Sequence, residues 1–363
     1  MNRRQRKRRQ ERRKAHGPTP DRPRLVLRQE CYPKVKQSHI VPVTFQRSFA
    51  VNDKVAVHVP GRTDHVELHV ENAGTRSRVY RRTRPNGEEI DDVEATLAYV
   101  ESKSASALTE VAMGARLTAT RKEALMQFLA IQMLRGPAFF AKQHENIERF
   151  VPKTLTEADV KPALLEQTGG DLELARGKVV ELFRHPTHLL LRMTTVAVKI
   201  AAVLGSMRWH LLRFDGPLLA YSDQPVVVWP LDDHTFTTPP LKPSFGPLGA
   251  LEVQVPISPH VAVLMTWADL PDRVEPVEAP APYAAEMNAL VIAQADKQWM
   301  HRLGSEPPVA HGPIRPLSRA FENRYTVDAV RASRRRATTA QYLHRVRNRR
   351  FINDIEVVTV KAA

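Results

Sequence analysis

Arg135 and Gln132 stand on the apolar stripe of a helix expected over roughly 121–144, among Leu125, Phe128 and Phe139. A guanidinium turned toward a core is costly unless carboxylates and hydrogen-bond acceptors meet it, and its planar fork suits a bidentate carboxylate. Two acids fit that need. Glu101 lies, with Glu94, beside the stripe of an earlier helix, and Asp223 ends a β-run in "YSDQPV" before the next one starts after Pro225. His39, in "SHIVPVTFQRSFA" at 38–50, stands ahead of Val41, Val43, Phe45 and Phe49, which are expected to dock on a core. If these four residues converge, with Gln132 in support, His39 would serve as general acid or base and Glu101 and Asp223 as its carboxylate partners. Arg135 would stabilise developing negative charge. That is the apparatus of a hydrolase, with a phosphodiester or nucleic-acid substrate as one option. The plainer reading is a structural or interaction module: a buried ion pair joins helices to a sheet, Asp223 belongs to an ordinary turn, and His39 is a hydrogen-bonded residue at the domain entrance.

Other patterns carry less. His65, Glu67 and His69 alternate along "HVELHV" and would share one face of a strand, giving metal-ligand types at suitable spacing; the wet face of a half-buried strand has the same pattern. Ser222 does not complete a triad with His39 and Asp223. Adjacent strand residues point to opposite faces, and no G-x-S-x-G turn is present. P-loop, dinucleotide, H-E-x-x-H and kinase patterns are absent, so no cofactor is indicated. Cys31 is the only cysteine, which excludes an intrachain disulfide and a multi-cysteine zinc site; a metal would take His and carboxylate ligands.

The elements that must position these residues follow from periodicity. Val93, Leu97, Val100, Ser104, Leu108 and Val111 recur at helical spacing and predict a helix over about 91–113. Further helices are expected near 157–167, 171–184 and 187–205. "VAVHVP" (55–60) and "HVELHV" (65–70) alternate as strands do. From Trp209 the period shortens to β-runs, "WHLLRF", "PLLAYSD", "PVVVWP", "LEVQVPISP" and "VAVLMTW", and a helix over about 283–301 is expected to close the fold. Helices first and a sheet later indicate an α+β fold, with a helical layer packed on a mostly antiparallel sheet.

The chain has 363 residues and a net charge of +15, unevenly spread. Residues 1–14 carry +8 and residues 315–350 carry +9, which leaves −2 for the rest. The expected organisation is a disordered basic arm at 1–36, a single domain at 37–304 and a basic, partly helical extension at 305–363. Arginine runs of this kind bind nucleic acid or another polyanion by counterion release, without sequence preference; a solubilising tail is the alternative. No apolar stretch approaches the roughly 20 residues of a membrane helix and no signal-peptide segment is visible at the start, so a cytoplasmic protein without membrane partners is expected. Oligomeric state is not legible.

Several blocks occur together in a definite order: "SHIVPVTFQRSFA" at 38–50, "EATLAYVESKSASAL" at 94–108, "FLAIQMLRGPAF" at 128–139, "LLAYSDQPVVV" at 218–228, "VPISPHVAVLM" at 255–265 and "MNALVIAQADKQWM" at 287–300. Together they resemble a mainly bacterial family, domain of unknown function 4238. The chain departs from the family's usual wording at Ile40, where an aromatic is common, at Gly136, where a small hydroxyl residue is common, and at Gln224, where Asn is usual. The resemblance implies one family domain over roughly 37–301; it implies no activity, since none is established for the family.

Overall fold

A computed structural model describes residues 37–311 apart from 78, 81, 84–88, 91, 155–161, 185, 231–246, 248–249 and 268–272. The basic arm at 1–36 and the charge run at 315–350 lie outside the described residues.

The described chain opens with β1 (Gln37–His39), α1 (Val43–Arg47), β2 (Lys54–His58), β3 (Val66–His69), β4 (Thr75–Ser77), β5 (Arg82–Thr83) and β6 (Glu89–Ile90). A helical stretch follows: α2 (Asp92–Ala112), α3 (Ala119–Arg135), α4 (Pro137–Thr154), α5 (Pro162–Gln167), α6 (Leu172–Arg184) and α7 (Pro186–Ser206). Then come β7 (Arg208–Phe214), β8 (Tyr221–Ser222), β9 (Val227–Pro230), β10 (Ala250–Ser258), β11 (Val261–Thr266), β12 (Arg273–Ala279), α8 (Ala281–Gln294) and β13 (Trp299–His301). The larger sheet has the order β12-β7-β11-β10-β9 and is antiparallel except for the β12–β7 pair. A second sheet, β3-β2-β13-β8, is antiparallel throughout, and its β13 inserts between strands from distant parts of the chain. The fold is α+β, as the order of periodicities indicates.

Three departures from the expected elements have physical causes. The helix expected over 121–144 is two helices, α3 and α4, whose axes bend by 64°. Gly136 between them is extended (φ −70°, ψ 149°), because the Pro137 ring disfavours helical backbone in the residue before it. The helix expected to reach 301 stops at Gln294, and Trp299–His301 is a strand instead. Finally β12, a parallel edge strand, answers no pattern noticed in the sequence.

The main core packs α1, α3, α7 and α8 against both larger sheets, and every residue of β11 is buried, as expected of a strand covered on two faces. Phe45, Phe49, Phe128 and Tyr221 form an aromatic group with ring centroids 4.5–6.1 Å apart. By general magnitudes, truncating such a ring costs about 3–5 kcal/mol. Gln46, fully buried, is satisfied on all sides: its amide donates to the carbonyls of Val41 (2.9 Å), Val70 (3.3 Å) and Ala73 (3.0 Å) and accepts from the Tyr221 hydroxyl at 3.1 Å. This latch holds the 70–74 turn, where Gly74 has φ +59° and a Cβ would sit 3.1 Å from Val41 Cβ. A smaller apolar cluster, including Ile40, Tyr80, Leu97, Leu134 and Met193, joins α2, α3 and α7.

Candidate functional site

Arg135 is the last residue of α3, and only 2% of it is exposed. Its Nη1 donates to Glu101 Oε1 on α2, and its guanidinium lies over the Tyr80 ring, 5.7 Å from the centroid. The Tyr80 hydroxyl in turn donates to the Arg135 carbonyl at 2.5 Å, satisfying one of the acceptors that a helix end leaves open. One turn earlier, Gln132 Nε2 donates to the Ile40 carbonyl at 2.7 Å. Burial alone would favour a neutral guanidine; Tyr80 and Glu101 reverse that and hold Arg135 charged. The stripe that carries these two polar residues therefore ties α3 to α2 and to the chain just after β1.

Glu94 precedes Glu101 by seven residues on α2, two helical turns, and so shares its face. Burial pushes the Glu94 carboxyl above the usual glutamate range, and Glu101 adds to this, while a hydrogen bond from Ser38 and the charges of Arg135 and His39 oppose it. Three buried atoms of this cluster have no partner among the described residues: Glu94 Oε1, Gln132 Oε1 and Arg135 Nε. Buried polar groups are nearly always paired in folded proteins, so three orphans in one place ask for an explanation. The cluster meets solvent through Glu101, whose side chain is 22% exposed. Chemically it offers a carboxyl biased toward its protonated form beside an ion-paired carboxylate and a fixed cation, an arrangement that separates acid and base roles.

Asp223 follows β8 and is 2% exposed. Its Oδ1 accepts the backbone N–H of Asp296 and its Oδ2 that of Lys297, each at 2.8 Å. Arg76 Nη2 completes the set at 3.1 Å and also reaches Asp296 at 2.6 Å. Burial pushes the Asp223 carboxyl up, and the two N–H donors and Arg76 counter it. These bonds turn the chain after Gln294 and deliver it into β13, which is why α8 ends early.

The structure brings Glu101, Arg135 and Gln132 into one cluster. His39 reaches its edge: its Nε2 contacts the Glu71 carbonyl at 3.1 Å and its charge acts on Glu94. Asp223 has the separate partners just described. The two regions adjoin, since Arg76 pairs with Ser38 across β4 and β1, and a Cβ on Gly136 would be 3.8 Å from Gln224. Sequence reasoning missed Tyr80, Ser38 and Arg76, which follow no period; the role of Glu94 was readable only in its spacing from Glu101.

The weaker metal pattern separates. Glu67 faces Lys54 at 3.7 Å and His69 lies 3.9 Å from Glu71, both on the surface. His65 instead joins His58 and His301, and one ligand atom from each lies within 4.8 Å of the others. His58 Nε2 is 3.0 Å from His301 Nε2, and the His58 ring stacks on Trp299 at 3.7 Å. Glu306 lies 3.9 Å from His65 Nδ1 and 4.0 Å from His301 Nε2. Burial lowers the proton affinity of both His58 and His301, and the neighbouring imidazoles add to this.

Among the described residues no single helix is long and apolar enough to cross a membrane. No curated protein and no solved structure matches the chain. The family described as "Protein of unknown function (DUF4238)" matches residues 37–303, which include the aromatic group, the Arg135 cluster, Asp223 and His301. The chain therefore belongs to the DUF4238 family.

Proposed function

We propose that the family domain is a hydrolase and that the two basic ends, at 1–14 and 315–350, hold a polyanionic substrate against it in the cytoplasm. A phosphodiester of nucleic acid is the substrate class that suits those ends. In this reading His39 takes a proton from water as its oxygen bonds to phosphorus. Glu94 gives its proton to the departing alkoxide as the phosphorus–oxygen bond breaks. Arg135 Nε offers a hydrogen bond to developing negative charge, and Glu101 holds the guanidinium in place. Asp223 is reassigned from the catalytic set to the frame.

The observation that carries this reading is that Glu94 Oε1 and Arg135 Nε, in the same cluster, lack partners among the described residues. The burial of Arg135 favours the rival, in which the cluster only joins layers. Turnover of a fluorescent oligonucleotide or an aryl phosphodiester by the full chain tests the two. Glu94→Gln and His39→Ala should each lower turnover about 100-fold, a usual worth for general acid–base groups, without lowering the melting temperature. Absence of turnover in the parent, with either variant destabilised, would establish the rival. For the ends, retention on immobilised DNA should fall steeply with added salt and be lost when the arginines of 331–350 become Gln.

A further inference from the structure

His58, His65 and His301 are brought together by register. β2 and β3 pair Val57 with Val66, and continuing that antiparallel ladder by one step sets His65 opposite His58. On the other side of β2, β13 pairs Trp299 with His58 and His301 with Ala56, so His301 lies diagonally from His58 on the same face. Three imidazoles from sequence-distant segments thus share one patch of the β3-β2-β13 surface, His301 buried, His58 half-buried and His65 exposed.

The ring nitrogens are arranged as ligands rather than as a solvated face. His301 Nδ1 lies 2.9 Å from the Arg302 carbonyl, to which it donates, so its Nε2 faces the other two rings with its lone pair, which accepts from His58 Nε2 at 3.0 Å and would turn to an ion in its place. That second bond is the usual device by which proteins orient a metal-binding imidazole. In a tetrahedral zinc site, nitrogens about 2.0–2.1 Å from the ion stand roughly 3.3 Å from one another. The His58 and His301 nitrogens are already 3.0 Å apart, and the whole set spans no more than 4.8 Å, so the adjustment required falls mainly on exposed His65.

Glu306 adds a carboxylate near two of the three rings. Its segment is fastened to α8 by the Asn288 amide donating to the Pro308 carbonyl at 2.8 Å and by the Ala310 N–H donating to Ala285 at 3.0 Å. We propose that His58, His65 and His301 bind a zinc-class divalent transition-metal ion, with Glu306 swinging in as the fourth ligand. Imidazole nitrogen with one carboxylate selects zinc, cobalt, nickel or copper over calcium and magnesium. The ion would clip the segment after β13 to the β2–β3 hairpin.

The test uses the full chain without a polyhistidine tag, stripped with a chelator and titrated with Co2+ and then Zn2+. One equivalent of Co2+ should give the visible spectrum of a four-coordinate ion, displaced by zinc. His65→Ala, whose side chain is exposed and cannot unfold the chain by truncation, should weaken zinc binding at least tenfold in a chromophoric competition assay; Glu306→Gln should weaken it less, and His69→Ala should leave it unchanged. A six-coordinate cobalt spectrum, or equal zinc affinity in the parent and His65→Ala, would overturn the site.

Discussion

Arg135 and His301 are both almost wholly buried, yet their surroundings are built on opposite terms. Around Arg135 the fold supplies the counter-charge itself: Glu101 pairs with the guanidinium, Tyr80 covers it, and α2 and α3 are joined by the result. Around His301 the neighbours are more electron-pair donors of the same kind, two imidazoles and a carboxylate. A buried charge that meets its opposite within the chain holds layers together. Converging Lewis bases that hydrogen-bond one another also offer a place for a cation from outside. Loss of Glu101 is therefore expected to show in stability, and loss of His65 in the response to a metal.

The largest effect should come from the ion pair. Glu101→Gln leaves the Arg135 charge without its carboxylate, and breaking a buried pair costs about 3–5 kcal/mol; with Glu101 partly exposed, about 3 kcal/mol is expected from urea unfolding. A loss below about 0.5 kcal/mol would mean that Glu94 or water substitutes, and the contrast between the clusters would fail. Asp223→Asn comes next. The amide can accept only one of the two N–H bonds and weakens the contact with Arg76, so about 2 kcal/mol is expected. Tryptophan fluorescence offers a local readout, since Trp299 lies just past the turn that Asp223 holds.

Glu94→Gln is smaller and tests the sign of a linkage. Because the folded-state proton affinity of Glu94 is raised, the native chain keeps this proton over a span in which the unfolded chain has lost it. The associated stability is present below the ordinary glutamate range near pH 4 and disappears as pH rises through the folded value. Gln stays neutral throughout. The stability of the parent relative to Glu94→Gln should therefore fall as pH rises from about 4 through the raised folded value. A relative stability that rises with pH would show that Ser38 and Arg135 outweigh burial. Taken with loss of turnover, a variant at least as stable as the parent would mark a residue kept for chemistry at some expense of stability.

What the sequence disclosed depended on how local each signal is. The stripes of α2 and α3 put Arg135 and Gln132 on an inward face and Glu101 beside one because helical spacing is written within a dozen residues. The partners of Asp223 lie 73 and 74 residues away, in a turn whose flanking residues look helical, so neither the turn nor β13 was visible. The bend at Gly136 was readable in principle from Pro137 alone. For the histidines, the pairing of 58 with 65 follows from a hairpin register, but His301 arrives through a strand inserted 243 residues later, which no local pattern encodes.

The most direct measurement is thermal unfolding of the full chain, Glu101→Gln and His65→Ala, each stripped of metal and then supplied with one equivalent of zinc. Glu101→Gln should melt well below the parent in both conditions yet gain as much from zinc as the parent does, while His65→Ala should melt with the parent when stripped and gain much less from zinc. An equal zinc gain in the parent and His65→Ala, or a Glu101→Gln chain as stable as the parent, would contradict the account.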